Sequence, residues 1–142
     1  MFITRCLALD IGDRRIGVAL SDSGGILASP LTIIERSETQ QDIDAITGII
    51  SQHQVERIVV GLPRMMDGTI GRQAEKVGSF AQSLSEQTRV PIIFRDERLT
   101  TVSARRLMKD ASTKKTKKPA RDDAVAAALI LQGYLDESPD TA

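Results

Sequence analysis

The chain has 142 residues, 41% of them apolar and 27% charged, which suits one soluble domain with a core of its own and excludes a disordered segment. Aromatic residues make up only 3%, with no Trp and one Tyr, which argues against a nucleic-acid binder that stacks bases on aromatic platforms. Formal charges cancel at 19 of each sign, but Arg95 to Arg121 holds ten basic against three acidic residues, a local +7.

Cys6 is the single cysteine, so no intrachain disulfide forms, as befits a reducing compartment. No signal-peptide pattern opens the chain, and no apolar run approaches the ~20 residues of a membrane helix. The expectation is a cytoplasmic protein with no membrane partner. Arg5–Asp10, Arg15–Ser21 and Ala28–Ile34 are short β-prone runs, separated by turn chemistry at Gly12-Asp13 and Ser23-Gly24-Gly25. Such short connections favour an antiparallel meander.

The pattern then changes. Gln41–His53 carries Ile43, Ile46, Ile49 and Ile50 at helical spacing. Arg57–Gly61 is a continuous apolar strand closed by Leu62-Pro63. Ile70–Gln87 is helical, with Ala74, Val77, Ala81 and Leu84 on one stripe, and Val90–Phe94 is the next strand. Thr100–Lys109 reads as a helix with Thr100 or Thr101 as N-cap. Ala111–Ala120 is a loop, Asp122–Leu135 is an Ala-rich helix with an acidic start that suits the helix dipole, and about 136–142 is a disordered tail.

The order βββαβαβαα joins a meander to a parallel βαβ half with right-handed crossovers. The expected fold class is therefore α/β, a five-stranded mixed sheet flanked by helices, ribonuclease H-like, as a single domain over 1–142.

Asp10 ends an apolar run where an ionised carboxylate needs a partner. Ligands gather beyond the carboxyl ends of parallel strands. Asp96 and Glu97 follow the last strand, and Asp122 and Asp123 open the final helix, so three segments offer carboxylates to one place. Carboxylates that close require a cation or a raised pKa. Hard oxygen donors without a His or a second Cys favour Mg²⁺ or Mn²⁺ over zinc. Two such ions would serve a phosphodiester displacement. Singly, each acid also fits a turn or a helix cap, and Asp96 an ion pair with Arg95 or Arg98.

Four motifs, in order and nearly end to end, resemble the YqgF family, also called RuvX. LALDIGDRRIGVALSD resembles its D-x-G-x-x-x-I-G-V-A opening, and IVVGLPRMMDGTIG its V-G-L-P-x-x-M-x-G segment. FRDERLTTVSA resembles D-E-R-L-[ST]-T, and DDAVAAALILQGYL the closing D-x-x-A-A-x-x-I-L-x-x-Y. Members are described as Holliday-junction resolvases and as nucleases of precursor 16S ribosomal RNA. The resemblance implies a ribonuclease H-like fold and a divalent-metal nuclease whose catalytic and metal-holding triad falls on Asp10, Glu97 and Asp123. Alignment back from Tyr134 selects Asp123 over Asp122, which is left as an outer partner or a cap.

Gly12 fits a tight turn beside the site. Arg14 and Arg15 alternate in direction, so at most one faces a substrate. Arg98 is placed to contact the scissile phosphate or to orient Asp96. Gly61, Pro63, Gly68 and Gly71 shape a loop, and Met65 and Met66 cover the site or pack elsewhere. Lys114, Lys115, Lys117 and Lys118 suit backbone phosphates, which position a strand without reading bases. The same basic stretch also reads as a solvated loop.

The expected partners are structured RNA, branched DNA as the alternative, and a pre-ribosomal particle, with the protein a monomer or a homodimer. A phosphotransferase of the actin and sugar-kinase type shares the opening Asp and Gly but needs two such domains. A non-catalytic nucleic-acid-binding module keeps the fold, yet has no use for acids gathered beside phosphates.

Overall fold

The computed structural model describes residues 5–62, 71–96 and 119–137, with side chains from 124 onward in the last stretch. Strands β1 (Cys6–Ile11), β2 (Arg15–Ser21) and β3 (Ala28–Glu35) are followed by helix α1 (Thr39–His53). Then come β4 (Arg57–Leu62), α2 (Arg72–Ser85), β5 (Ile92–Asp96) and α3 (Pro119–Glu137). The helix expected over 100–109 lies outside the described residues.

The five strands form one sheet in the order β3-β2-β1-β4-β5. β1, β2 and β3 pair antiparallel, while β4 pairs parallel with β1 and with β5. This is the expected meander joined to a parallel half.

Strand alternation sorts side chains onto two unlike faces. Leu7, Leu9, Ile11, Ile16, Val18, Ile58 and Val60 point one way and pack under Ile43, Ile46 and Ile50 of α1 and Val77, Phe80 and Leu84 of α2. Cys6, Ala8, Ala19 and Val59 point the other way, against Ala127, Ala128, Ile130, Leu131 and Leu135 of α3. Bulky side chains fill the first face, whereas small ones on both sides of the second let α3 lie close to the sheet.

Several boundaries differ from the sequence expectation. β5 starts two residues late and takes in Arg95 and Asp96, because its extent is set by pairing with β4, from Ile58↔Ile92 to Leu62↔Asp96. Asp96 therefore belongs to the strand and does not follow it. α3 starts at Pro119, a residue suited to the first helical position, where its missing N–H costs nothing. Asp122 and Asp123 thus fall a turn inside the helix. α3 also runs on through Asp136 and Glu137, the first residues assigned to a tail, with Glu137 paired to Arg95. On the β3 edge the register against β2 shifts between Val18 and Ala19: Val18 faces Thr32, Ala19 faces Pro30, and Leu31 is the extra residue.

Candidate active site at the end of β1

Asp10 is the second-last residue of β1 and lies opposite Gly17 of β2. It shares the parity of Cys6 and Ala8, so its side chain stands on the α3 face, half-buried at the carboxyl end of the strand. Across the parallel half, β1 and β4 pair as far as Leu9↔Val60, and Gly61 pairs with Arg95 of β5. Asp10, Gly61 and Arg95 therefore occupy one row. Gly61, between the carboxylate-bearing residue of β1 and the cation-bearing residue of β5, contributes no side chain to that row.

Arg95 is only 8% exposed, a costly place for a charge without compensation. Its Nη1 and Nη2 donate to the two carboxylate oxygens of Glu137 at 2.8 and 3.0 Å, a bidentate grip. The Arg95 hydrogen bond is the leading cause that holds the Glu137 carboxyl below the usual carboxylate range. Gly133 makes room for the guanidinium, since a Cβ there would stand 2.8 Å from Nη2. The end of β5 is thereby tied to the last two turns of α3.

α3 runs against β1. Tyr134, near its C-terminus, accepts a 2.7 Å hydrogen bond from Arg57 at the start of β4, and Gln132 bonds Ala28 N and Ile26 O beside the start of β3. The first turns of α3 thus point toward the carboxyl end of β1.

The chain turns sharply after Asp10. Gly12 N donates to Arg15 O at 2.9 Å, and a Cβ on Gly12 would meet that same oxygen at 2.9 Å, so the turn admits only glycine without displacement. Asp13 and Arg14 form the exposed tip, while half-buried Arg15 pairs across the meander with Glu35 at 3.4 Å.

Sequence reasoning missed what holds this turn. Arg36 donates from Nη1 to Gly12 O and from Nε to Asp42 Oδ2, both at 2.8 Å. Its guanidinium lies 5.1 Å over the Phe80 ring. Asp42, 1% exposed in the first turn of α1, also accepts from Ser37 N at 3.0 Å and Ser37 Oγ at 3.2 Å. An Arg–x₅–Asp spacing ahead of an apolar helical stripe is the only local trace of this network.

Of the residues expected at the site, Asp10, Arg14 and Arg15 are placed as above. Asp123 is placed by its backbone in α3, one residue before buried Ala124. Glu97, Arg98, Lys114, Lys115, Lys117, Lys118, Met65 and Met66 lie outside the described residues. Asp96 is level with Leu62 and, by alternation from Arg95, stands on the sheet face away from Asp10. Gly61 sits inside β4 and Gly71 is the N-cap of α2, so neither is purely a loop residue. Among the described residues no three of His, Cys, Asp or Glu converge as a metal-holding group. His53 is at the last turn of α1. No helix among the described residues is long and apolar enough to cross a membrane.

Comparison with known proteins extends this picture. The family model described as "RuvX: Holliday junction resolvase" matches residues 4–137. A protein of Dehalococcoides mccartyi named "Putative pre-16S rRNA nuclease" is 51% identical over 128 residues, covering 90% of this chain and 95% of its own length. A Clostridium novyi protein of the same name is 46% identical over 132 residues, covering 93% and 98%. Among solved structures, Thermus thermophilus RuvC in complex with a Holliday junction substrate superposes with a TM-score of 0.65 at 14% identity, covering 94% of this chain and 95% of that one. The fowlpox virus Holliday junction resolvase gives 0.56 at 12% identity, covering 94% and 99%. At such identities these two likenesses concern the fold alone.

Proposed function

The chain belongs to the RuvX family, and from that premise we propose that it is a divalent-metal-dependent nuclease that hydrolyses phosphodiester bonds near the 5′ end of precursor 16S ribosomal RNA. The observation that carries the reading is the near full-length match to relatives bearing that name, at 51% and 46% identity. The half-buried carboxylate of Asp10 at the end of β1 supplies its chemical anchor.

The donor chemistry fits a hard divalent ion. Asp10 offers carboxylate oxygens at the end of β1, and neither His53 nor Cys6, both remote from that strand end, brings nitrogen or sulfur. Glu97 and Asp123 are its proposed partners. Glu97 is the next residue in sequence after Asp96, the last of β5. Asp123 precedes Ala124 in a helix whose first turns point to Asp10's end of the sheet. A bound Mg²⁺ or Mn²⁺ would neutralise phosphate charge and sharpen a water as nucleophile.

The remaining work falls to the chain itself. Asp10 is held by the paired strand behind it and by the fixed Gly12 turn after it, so its carboxylate is oriented before substrate arrives. Arg14 at the exposed tip, Arg98, and Lys114, Lys115, Lys117 and Lys118 would grip backbone phosphates, which favours recognition by strand geometry over base identity. A pre-ribosomal particle would present such a geometry.

Four-way DNA is the second reading, favoured by the resolvase description of the family. A cleavage assay separates the two. Wild type and Asp10→Asn meet a precursor-rRNA 5′ leader and a four-way DNA junction, each with Mg²⁺, Mn²⁺ or EDTA. Metal-dependent cutting of the leader, lost in Asp10→Asn, is the expected result. Cutting of the junction alone transfers the assignment to DNA. An Asp10→Asn protein that cuts at the wild-type rate refutes the site.

A further inference from the structure

A cavity of about 350 Å³ opens beside the Gly12–Asp13 turn, between the start of α1 and one side of α2. Gly12, two residues beyond Asp10, forms part of its wall, together with Asp13, Arg36, Thr39, Lys76 and Ser83. We propose that this groove receives a phosphodiester group of the substrate strand other than the one that is cut. The inference rests on the nuclease reading for its substrate.

Polar groups with spare hydrogen-bonding capacity line the wall. A guanidinium carries five N–H donors. Arg36 uses one of them on Asp42 and one on Gly12 O, and the rest remain on a group that lines the cavity. The hydroxyls of Thr39, Ser79 and Ser83, all on the cavity wall, make no hydrogen bond among the described residues. Gln73 has only a 3.5 Å contact from Nε2 to Ile11 O. Against all these donors stands one carboxylate, Asp13, 3.5 Å from Lys76 Nζ.

The balance of charge defines the ligand. Arg36 is matched by Asp42 and Lys76 by Asp13, so the groove is donor-rich without being strongly cationic. A dianion would need more positive charge. A phosphodiester, acceptor-rich with a single charge, fits the spare N–H groups of Arg36 and the ammonium of Lys76. Arg36 is also held in place, between buried Asp42 and the Phe80 ring, so little side-chain entropy is lost when it binds. Because Arg36 and the catalytic strand share the Gly12 carbonyl, a phosphate seated here would register the strand relative to Asp10.

The test is fluorescence-anisotropy binding of a labelled precursor-rRNA 5′ leader to the full chain in EDTA, over a series of salt concentrations. The proteins compared are wild type, Lys76→Ala, Asp13→Asn and Arg89→Ala. Lys76 and Asp13 are exposed, so neither change threatens the fold. Lys76→Ala is expected to weaken binding roughly 2- to 5-fold and to reduce the log–log salt slope by about 0.7–0.9. Asp13→Asn is expected to tighten binding, because it removes an anion from beside the phosphate. Arg89→Ala removes an exposed cation beyond the other end of α2 and is expected to change neither quantity.

A Lys76–Asp13 pair that served structure alone would move both variants in the same direction. That result, no change in either, or a loss in Arg89→Ala equal to that in Lys76→Ala overturns the groove. A wild type that binds no RNA overturns it as well. A wild type that binds with this pattern of variants yet cuts nothing in Mg²⁺ or Mn²⁺ overturns only the nuclease reading.

Discussion

Replacing Arg36 by Met removes the ion-pair partner of a carboxylate that is 1% exposed. Removing one member of a buried pair typically costs about 3–5 kcal/mol, because the other charge is left in a poor dielectric. Two features lower the expected loss here. Ser37 still donates to Asp42 from N at 3.0 Å and from Oγ at 3.2 Å, and the Arg36 side chain is 22% exposed, so water can enter where the guanidinium was. The Gly12 carbonyl loses its donor in the same step. The expected destabilisation is about 3 kcal/mol, which for a chain of this length lowers Tm by roughly 6–12 °C. Urea unfolding of wild type, Arg36→Met, Asp42→Asn and the double variant closes a cycle. The double variant is expected to be less destabilised than the sum of the singles by more than about 1 kcal/mol. Strict additivity, or an Arg36→Met loss under about 1 kcal/mol, refutes the claim that this pair holds the turn.

Asp10→Asn should abolish cleavage while its urea midpoint stays near wild type, since the substitution keeps shape and removes only charge; parallel cleavage and unfolding assays check this. Gly133→Ala brings a methyl group to within 2.8 Å of Arg95 Nη2, against a helix-propensity gain of about 1 kcal/mol. If Glu137 locks the guanidinium, the variant is less stable than wild type by thermal unfolding, and a more stable variant disproves the lock. Glu137 has a depressed folded-state pKa, first through the hydrogen bond from Arg95. Its contribution is therefore present above the unfolded carboxylate pKa and lost as pH falls through the folded value. In acid titrations of stability, Glu137→Gln should flatten that part of the curve, and an unchanged acid limb would rule the contribution out.

Where periodicity was strong, the fold was legible in the chain. Ala74, Val77, Ala81 and Leu84 were assigned to one helical stripe and are all buried, and the apolar run at Ile58, Val59 and Val60 is a central strand. Local pattern does not set where an element stops when a neighbour decides it. Arg95 and Asp96 look like the exit from a strand, yet the pairing of Gly61 and Leu62 carries the strand through them. Asp10 stood out because a carboxylate after an apolar run is costly. Arg36, Asp42 and Arg95 did not, because charged side chains usually mark solvated surface. Arg36 reaches 24 residues back to Gly12 and Arg95 reaches 42 residues on to Glu137, distances that no window along the chain spans.

The extra residue on β3 has a consequence for how the protein behaves in concentrated solution. β3 is an edge strand, and Ile26, Leu27 and Leu31 on or beside it are exposed. An apolar open edge of this kind is a template for strand addition and sheet growth. Pro30 offers no N–H, and the register shift at Leu31 bends the row of donors and acceptors that a foreign strand would have to match. The edge is thereby spoiled as a template by its backbone, so the chain can keep its apolar rim and still resist fibrous self-association.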